Sequence, residues 1–316
     1  MISAPFNLDR LDVVGIGAAT LDDLWLVPGF SDQESVTPAV QHLQMGGGPV
    51  ATALCVLGSL GRKVTLLDTV GDDASGQLIL EGLQRNHVST VGITSVAGAS
   101  SARAVILVRQ RDGARQIAYL PSSAGELVLD SRQRELILAS RMLHINGRHE
   151  SAAREAVELA SAAGIWVSFD GGAGRYRDSI RDLVLKSQIR IVSRQFAQCF
   201  CGCDEVDEML SRLMASPAEV VVITDGTRGS WVALPDGTKF HQPAYPVEGL
   251  VDTTGCGDVY HGAFLHGWLE KWPASACADF ASKLAAQNAC GLGGRAVCQE
   301  LVPTGDLKPA NATAAF

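Results

Sequence analysis

A glycine-rich turn in front of an apolar stretch is the strongest chemical signal in the sequence. Residues 251–264 read VDTTGCGDVYHGAF, and Gly255, Cys256 and Gly257 form the turn. A turn of this composition at a helix N-terminus presents free backbone N–H groups to an anion such as phosphate. Asp258 follows at once and is placed to accept a proton from a hydroxyl that attacks phosphorus. An Asp at this point also commonly caps a helix, so the turn alone leaves both roles open.

The rest of the chain alternates between short apolar runs and amphipathic stretches. Apolar runs that end in polar or glycine residues are typical of strands buried on both faces of a parallel sheet. They lie at 11–17, 64–68, 142–146, 165–170, 189–193 and 220–224. Apolar residues at three- and four-residue spacing predict helices over 50–60, 76–86, 151–163 and 206–215. We therefore expect a single α/β domain of residues 1–316, with a doubly wound, mostly parallel central sheet and helices on both faces.

Two segments depart from this alternation. Residues 101–121 contain two alternating runs joined at Asp112-Gly113, a dipeptide favoured in tight turns, and they predict a β-hairpin. Residues 23–44, between the first strand and the first helix, show no regular pattern. We expect the two segments to form a small β lid over the carboxyl edge of the sheet, where α/β proteins bind ligands.

Composition excludes several classes of function. The formal charge of the 316 residues is −8, so the field of the whole molecule opposes loose binding to nucleic acid or to an anionic membrane. No run approaches the ~20 apolar residues of a membrane span, and the first ten residues lack the pattern of a secretory signal. The eight cysteines are scattered, unlike those of a small disulfide-linked domain. We therefore expect a cytoplasmic protein with neither nucleic acid nor a membrane as its partner.

Residues 252–258, DTTGCGD, resemble the D-T-x-G-A-G-D signature of the ribokinase-like (PfkB) carbohydrate kinase family. Further marks of the family follow in order: GGG at 46–48, LGSLG at 57–61, VGDDASG at 70–76 and TDGTRG at 224–229. The resemblance covers about residues 11–302, and the sequence motifs are most similar to those of the sulfosugar kinase branch. The groups with which that branch binds the sulfonate are not found at the expected places. It implies a ribokinase-like fold with a β lid, and transfer of the ATP γ-phosphate to a hydroxyl of a small sugar or sugar derivative.

The resemblance also assigns catalytic roles. Asp258 matches the family's catalytic base, and the backbone N–H groups of Gly255, Cys256 and Gly257 match its anion hole. Cys256 stands where the family usually has Ala. We interpret it as a small buried residue, with redox sensitivity as the alternative.

On the sugar side, Asp22 matches an acidic residue that accepts hydrogen bonds from sugar hydroxyls, and Asp23 is the neighbour with which it can be confused. Gly47 and Gly48 let the backbone approach the sugar closely because they lack a Cβ. Thr52 occupies the place where the family often has Asn. The cationic candidates to contact an anionic group on the sugar are Arg103, Arg148 and His149.

The nucleotide side rests on a shorter motif. Matches to the family's ATP site are Thr224, Gly226, Gly229 and Asn288. By the same resemblance, the protein uses ATP and Mg²⁺, and a monovalent cation such as K⁺ is expected near Asp252. The family commonly has N-x-x-E near the Mg²⁺-bound phosphates, whereas this chain has Ser193 and Phe196. Mg²⁺ binding through water and phosphate oxygens could survive that loss.

Two other functions stay open. A nucleoside kinase shares the fold and would need an aromatic pocket for a base, for which Trp25, Tyr119 and Phe169 are candidates. A degenerate member that binds sugar or nucleotide without turnover is suggested by Ser193 and Phe196.

An exposed hairpin edge favours pairing between subunits, so we expect a homodimer through the lid.

Overall fold

The computed structural model describes residues 10–34 and 36–301, whose strands form two separate sheets. In chain order the strands are β1 (Leu11–Ile16), β2 (Thr20–Val27), β3 (Gln41–Gly47), β4 (Val64–Gly71), β5 (Val88–Ser89), β6 (Ile93–Val96), β7 (Arg103–Arg109), β8 (Arg115–Leu120), β9 (Ser140–Ile145), β10 (Trp166–Gly171), β11 (Ile189–Ser193), β12 (Val220–Thr224), β13 (Ser230–Ala233) and β14 (Lys239–Gln242). The larger sheet has the order β14-β13-β12-β11-β10-β9-β1-β4-β5, with β6 also paired to β4. Its strands from β12 to β5 run parallel, and β13 and β14 add an antiparallel edge.

Helices cover both faces of this sheet. They are α1 (Pro49–Ser59), α2 (Ala74–Arg85), α3 (Ser131–Leu138), α4 (Glu150–Ala162), α5 (Arg181–Lys186), α6 (Arg194–Cys201), α7 (Val206–Leu213), α8 (Cys256–Leu269) and α9 (Ala274–Asn288). One apolar core lies between the sheet and α1, α2, α8 and α9, and a second lies between its other face and α3 to α7. Strands buried on both faces are the reason for the continuous apolar runs in the sequence. The predicted doubly wound, mostly parallel fold is confirmed.

The smaller sheet is the lid, with the strand order β3-β2-β7-β8. The predicted hairpin is confirmed: β7 and β8 pair antiparallel around the turn at Gly113, whose φ is +64°. The stretch 23–44, predicted without regular structure, instead contains most of β2 and the start of β3. A small apolar cluster that includes Leu24, Ile106 and Leu292 joins the lid to the loop after α9.

The predicted domain of residues 1–316 includes residues 1–9, 35 and 302–316, which lie outside the described residues. Among the helices of the described part, none combines the length and the apolar character needed to cross a membrane.

Candidate active site

The glycine-rich turn is the N-terminus of α8. Gly255 caps this helix with a φ of +69°, and a Cβ there would lie 2.5 Å from Gly294, so the turn requires glycine. Because Gly255 is the cap, Asp258 is free of that role. The first N–H groups of a helix have no partner within it, and the Cys256 N–H reaches the Thr253 carbonyl only at 3.5 Å. The turn therefore has the geometry of an anion-binding site.

Asp258 lies in the first turn of α8 and is partly exposed. Desolvation by the surrounding protein raises the pKa of its carboxyl group to about 7, and the charge of Asp170 adds to the rise. The cations Arg175, Arg115 and Arg295 oppose the rise without cancelling it. A carboxylate whose pKa is close to the working pH is well suited to accept a proton.

Asp22 supplies a second carboxylate, on β2 of the lid. Its Oδ1 accepts a hydrogen bond from Thr20 Oγ1 at 2.6 Å, and only 8% of the residue is exposed. A Cβ on Gly47 would overlap Asp22 Oδ2, and Gly48 has a φ of +90°, so this packing requires both glycines. Burial raises the pKa of Asp22, while the bond from Thr20 and the charge of Arg295 oppose the rise.

Arg295 completes this end of the site, and the sequence analysis missed it. Its buried guanidinium donates from Nε to Thr52 Oγ1 at 3.2 Å and from Nη2 to the Gly47 carbonyl at 2.8 Å. Nη1 has no hydrogen-bond partner and fills space that a Cβ on Gly46 would take. A single cation within the small, mostly apolar run 289–298 is the sequence signal that points to it.

Arg103 lies away from this group. Its Nη2 donates to Asp23 Oδ2 at 2.9 Å. Successive residues of a strand point to opposite faces, so this pair lies across the lid sheet from the Asp22 side chain. Arg115 on β8 is the lid cation that reaches the glycine-rich turn, where its Nη1 donates to the Thr253 carbonyl at 2.8 Å. The structure therefore does not bring Arg103 to the sugar side of the site.

The other two cationic candidates have partners within the protein. Arg148 Nη2 lies 3.4 Å from the Tyr119 hydroxyl. His149 is buried, with Nε2 2.8 Å from Asp68 Oδ1 and Nδ1 3.0 Å from the Leu127 N–H. His149 therefore joins β4 to the segment before α3 and does not face a ligand.

The residues predicted to bind the nucleotide differ in whether their hydrogen-bonding groups already have partners within the protein. Thr224 ends β12, and Gly226 and Gly229 follow in a turn with φ values of +55° and +83°. Asn288, at the end of α9, donates from Nδ2 to the Thr254 carbonyl at 3.0 Å, and its Oδ1 accepts a backbone N–H at 3.1 Å. The amide of Asn288 therefore stabilises the glycine-rich turn, and its hydrogen-bonding groups are already engaged.

Asp252 is fully buried and also supports the turn. Its Oδ1 accepts hydrogen bonds from the Thr254 N–H at 2.8 Å and hydroxyl at 2.6 Å, and its Oδ2 accepts the Gly293 N–H at 2.9 Å. A carboxylate oxygen has two lone pairs, so only Oδ2 keeps one. That lone pair is what Asp252 can offer to a monovalent cation.

Ser193 and Phe196 have structural roles at the start of α6. Ser193 Oγ accepts the Phe196 N–H at 3.1 Å and caps the helix. Phe196 is 1% exposed, and its ring centroid lies 5.8 Å from that of Phe169 and 5.4 Å from that of Tyr176. These residues do not fit the family's magnesium site, because position 196 holds a core aromatic ring in place of a carboxylate.

The surroundings of Cys256 disfavour the reactive form of its thiol. Burial raises its pKa to about 11, so it is protonated at neutral pH. Because the thiolate is the reactive form of cysteine, this supports the interpretation of Cys256 as a small packing residue.

Comparison with known proteins identifies the family. Residues 10–300 match the profile described as pfkB family carbohydrate kinase. Fructokinase-1 of Zea mays is 27% identical over 300 residues, which cover 88% of this chain and 90% of that protein. An ATP-dependent ribose-1-phosphate kinase of Halopiger xanaduensis is 26% identical, with 78% and 79% covered. The structure of a ribokinase-like protein from Agrobacterium tumefaciens superposes with a TM-score of 0.83 at 27% identity, covering 92% of this chain and 96% of that one. The chain belongs to the PfkB family of carbohydrate kinases.

Proposed function

We propose that this protein transfers the γ-phosphoryl group of ATP to a hydroxyl of a small sugar or sugar derivative. The observation that carries the proposal is the position of Asp258, directly behind an anion-binding turn and with its pKa raised to about 7. The acceptor oxygen attacks the γ-phosphorus and forms the new P–O bond, while the bond to the β-phosphate oxygen breaks and ADP leaves. The hydroxyl proton passes to Asp258.

The glycine-rich turn stabilises the charge that moves during this transfer. The N–H groups at the start of α8 point toward the phosphoryl oxygens, and the positive end of the helix dipole acts in the same direction. Arg115 of the lid holds the Thr253 carbonyl beside the turn. Closure of the lid over this edge excludes water, which would otherwise compete as the acceptor.

The sugar end offers complementary hydrogen-bonding groups. An ionised Asp22 only accepts hydrogen bonds, and Arg295 only donates them. A hydroxyl can donate to Asp22, and a shift of the buried Arg295 side chain would let its unpartnered Nη1 donate to that oxygen or to a neighbouring one. This pairing favours a polyhydroxy acceptor.

The arrangement of aromatic residues gives less support to a nucleoside kinase. Trp25 contacts His42, with ring centroids 4.3 Å apart, and Phe169 is fully buried against Phe196. Tyr119 lies beside Arg148. The three candidates for a base pocket therefore do not form a common cluster.

Magnesium would enter this site with ATP. Because Ser193 and Phe196 supply no carboxylate, we infer that the phosphate oxygens and water would provide most of its ligands. The presence of Ser193 and Phe196 in place of the family's N-x-x-E is the observation that favours a non-catalytic sugar or nucleotide binder. The retained Asp258 argues against that alternative. We propose K⁺ near Asp252, on its one remaining lone pair.

We also propose that two subunits pair through the lid. The outer face of the lid carries the exposed side chains Trp25, Val105 and Leu120, and every residue of the edge strand β8 is exposed. Exposed apolar side chains beside an unpaired strand edge favour association. Sedimentation analysis of the wild type and Val105→Lys tests the dimer.

We propose a cytoplasmic location, with which the eight unpaired cysteines agree.

The kinase is tested by ADP formation from Mg-ATP, with and without K⁺, across free sugars, sugar phosphates, anionic sugars and nucleosides. Asp258→Asn is the blank. We expect turnover with one class of sugar. Turnover with nucleosides alone would replace the sugar assignment, and no turnover despite thermal stabilisation by ATP or a sugar would support the non-catalytic binder.

A further inference from the structure

Unpartnered polar atoms concentrate at one place beneath the proposed catalytic base. In the described part of the chain, five buried side-chain nitrogen or oxygen atoms lack a hydrogen-bond partner. Four of them are His144 Nε2, Asp170 Oδ1 and Oδ2, and His261 Nδ1. Folded proteins pair nearly all buried polar atoms, so a cluster of exceptions indicates a missing partner.

Three different elements contribute these side chains. His144 lies on β9, Asp170 on β10, and His261 on α8, one turn after Asp258. All three are at least 96% buried. One nitrogen or oxygen atom from each lies within 4.8 Å of those of the other two. The three groups therefore surround a common point inside the protein.

The distances suit a metal ion after a small adjustment. The imidazole centroids of His144 and His261 are 5.9 Å apart, whereas two imidazoles bound to one tetrahedral zinc ion at about 2.1 Å place their centroids roughly 5 Å apart. His261 Nε2 lies 3.4 Å from Asp170 Oδ1, a typical separation between two such ligands. With Nε2 as the ligand, the ion would be the partner of His144 Nε2 and Asp170, whereas His261 Nδ1 would carry the proton and need a different partner. A closure of about 1 Å between the rings would complete the site.

Hydrogen bonding prepares one of the ligands. His144 Nδ1 lies 3.2 Å from Ser168 Oγ. When that nitrogen carries the proton, Nε2 has its lone pair free for a metal, as in most histidine ligands with an outer partner.

We propose that His144, Asp170 and His261 bind one divalent transition-metal ion of the zinc class, at a site separate from the Mg²⁺ that accompanies ATP. Two imidazoles and one carboxylate select zinc-like ions, whereas Mg²⁺ prefers oxygen ligands. Two negative charges, on Asp170 and on ionised Asp258, would balance the ion. The cation that faces Asp170 is Arg175, whose Nη1 lies 4.0 Å from Oδ2 and whose side chain is 41% exposed, so it can turn toward solvent. The ion would join β9, β10 and α8 directly behind the anion-binding turn.

The test measures metal binding and does not depend on kinase activity. Untagged protein is first stripped of metal with a chelator and then titrated with Co²⁺ as the spectroscopic probe. In a parallel sample the stripped protein is incubated with Zn²⁺ and desalted, and the zinc that stays bound per chain is measured. We expect about one ion per chain and the visible absorption of four-coordinate Co²⁺ with nitrogen and oxygen ligands. An excess of Mg²⁺ should not displace the ion.

Three variants locate the site. His261→Gln and Asp170→Asn should each lose the Co²⁺ spectrum. His266→Gln, which changes another buried histidine of α8 outside the cluster, should keep it. Circular dichroism confirms that each variant is folded, and a variant that does not fold is replaced by His144→Gln. A wild-type protein that binds no Co²⁺ or Zn²⁺ would overturn the proposal, because water would then be the missing partner. Binding that survives His261→Gln with thiolate-to-cobalt absorption would also overturn it and place the metal at the cysteines.

Discussion

Replacing Asp258 with asparagine should stabilise the fold above neutral pH. The pKa of this carboxyl group is raised from the ordinary 3.8 to about 7, chiefly by burial and then by Asp170. Above pH 7 the group is charged in both the folded and the unfolded state, and its burial costs stability. Below pH 3.8 it is neutral in both states, and this cost is absent.

The size of the effect follows from the shift. A rise from 3.8 to about 7, at 1.36 kcal/mol per pKa unit, sets an upper limit of about 4 kcal/mol at high pH. Because Asp258 keeps partial contact with water, we expect Asp258→Asn to raise the free energy of unfolding by about 2 kcal/mol at pH 8. The gain should shrink through pH 6 and vanish near pH 4.

Urea denaturation at pH 8, 6 and 4.5 measures this difference. The protein is treated with a chelator first, because a cation held by Asp170 would lower the pKa of Asp258. Asp225→Asn is the matched control of opposite sign: burial alone would raise the pKa of Asp225, but hydrogen bonds from Arg228 and Arg194 outweigh it and lower the pKa. That variant should lose stability at pH 8. A gain for Asp258→Asn that is equal at pH 8 and pH 4.5 would refute the argument from the buried charge.

Three further predictions concern activity. Arg295→Gln should raise the KM for the sugar by about 10- to 100-fold, the equivalent of one charged hydrogen bond of about 1.5–3 kcal/mol. The control Arg103→Gln should leave the KM unchanged. Equal effects of the two substitutions would argue against a place for Arg295 in the sugar site. For protein treated with a chelator and assayed with Mg-ATP added back, the value of kcat/KM should fall tenfold per pH unit below about pH 7, where Asp258 becomes protonated. A flat profile of this protein between pH 5 and 8 would argue against Asp258 as the base. Cys256→Ala should retain wild-type turnover, and a loss of activity would show that the thiol does more than fill space.

The placement of the glycine-rich turn and Asp258 at one helix N-terminus could be predicted because these residues are close in sequence. Gly255, Cys256, Gly257 and Asp258 are consecutive, and a glycine turn before an apolar helix has only a few geometries. The central sheet could be predicted for a related reason: strands buried on both faces leave continuous apolar runs.

The sugar end could not be predicted in full because it depends on long-range contacts. Arg295 reaches Thr52 across 243 positions of the chain and Gly47 across 248, and no local pattern encodes such a contact. Its positive charge and its place on the hairpin point to Arg103 as a sugar ligand. The register of β7 against β2, which decides the face on which it lies, depends on the folded sheet.

The most direct test of the central claim is sugar-dependent ADP formation by the wild type and by Asp258→Asn at pH 8. Both proteins should bind ATP with similar affinity, and the variant should lose at least ~10²-fold in turnover, as expected for removal of a general base. Equal turnover in the two proteins would contradict the role of Asp258 and with it the proposed mechanism.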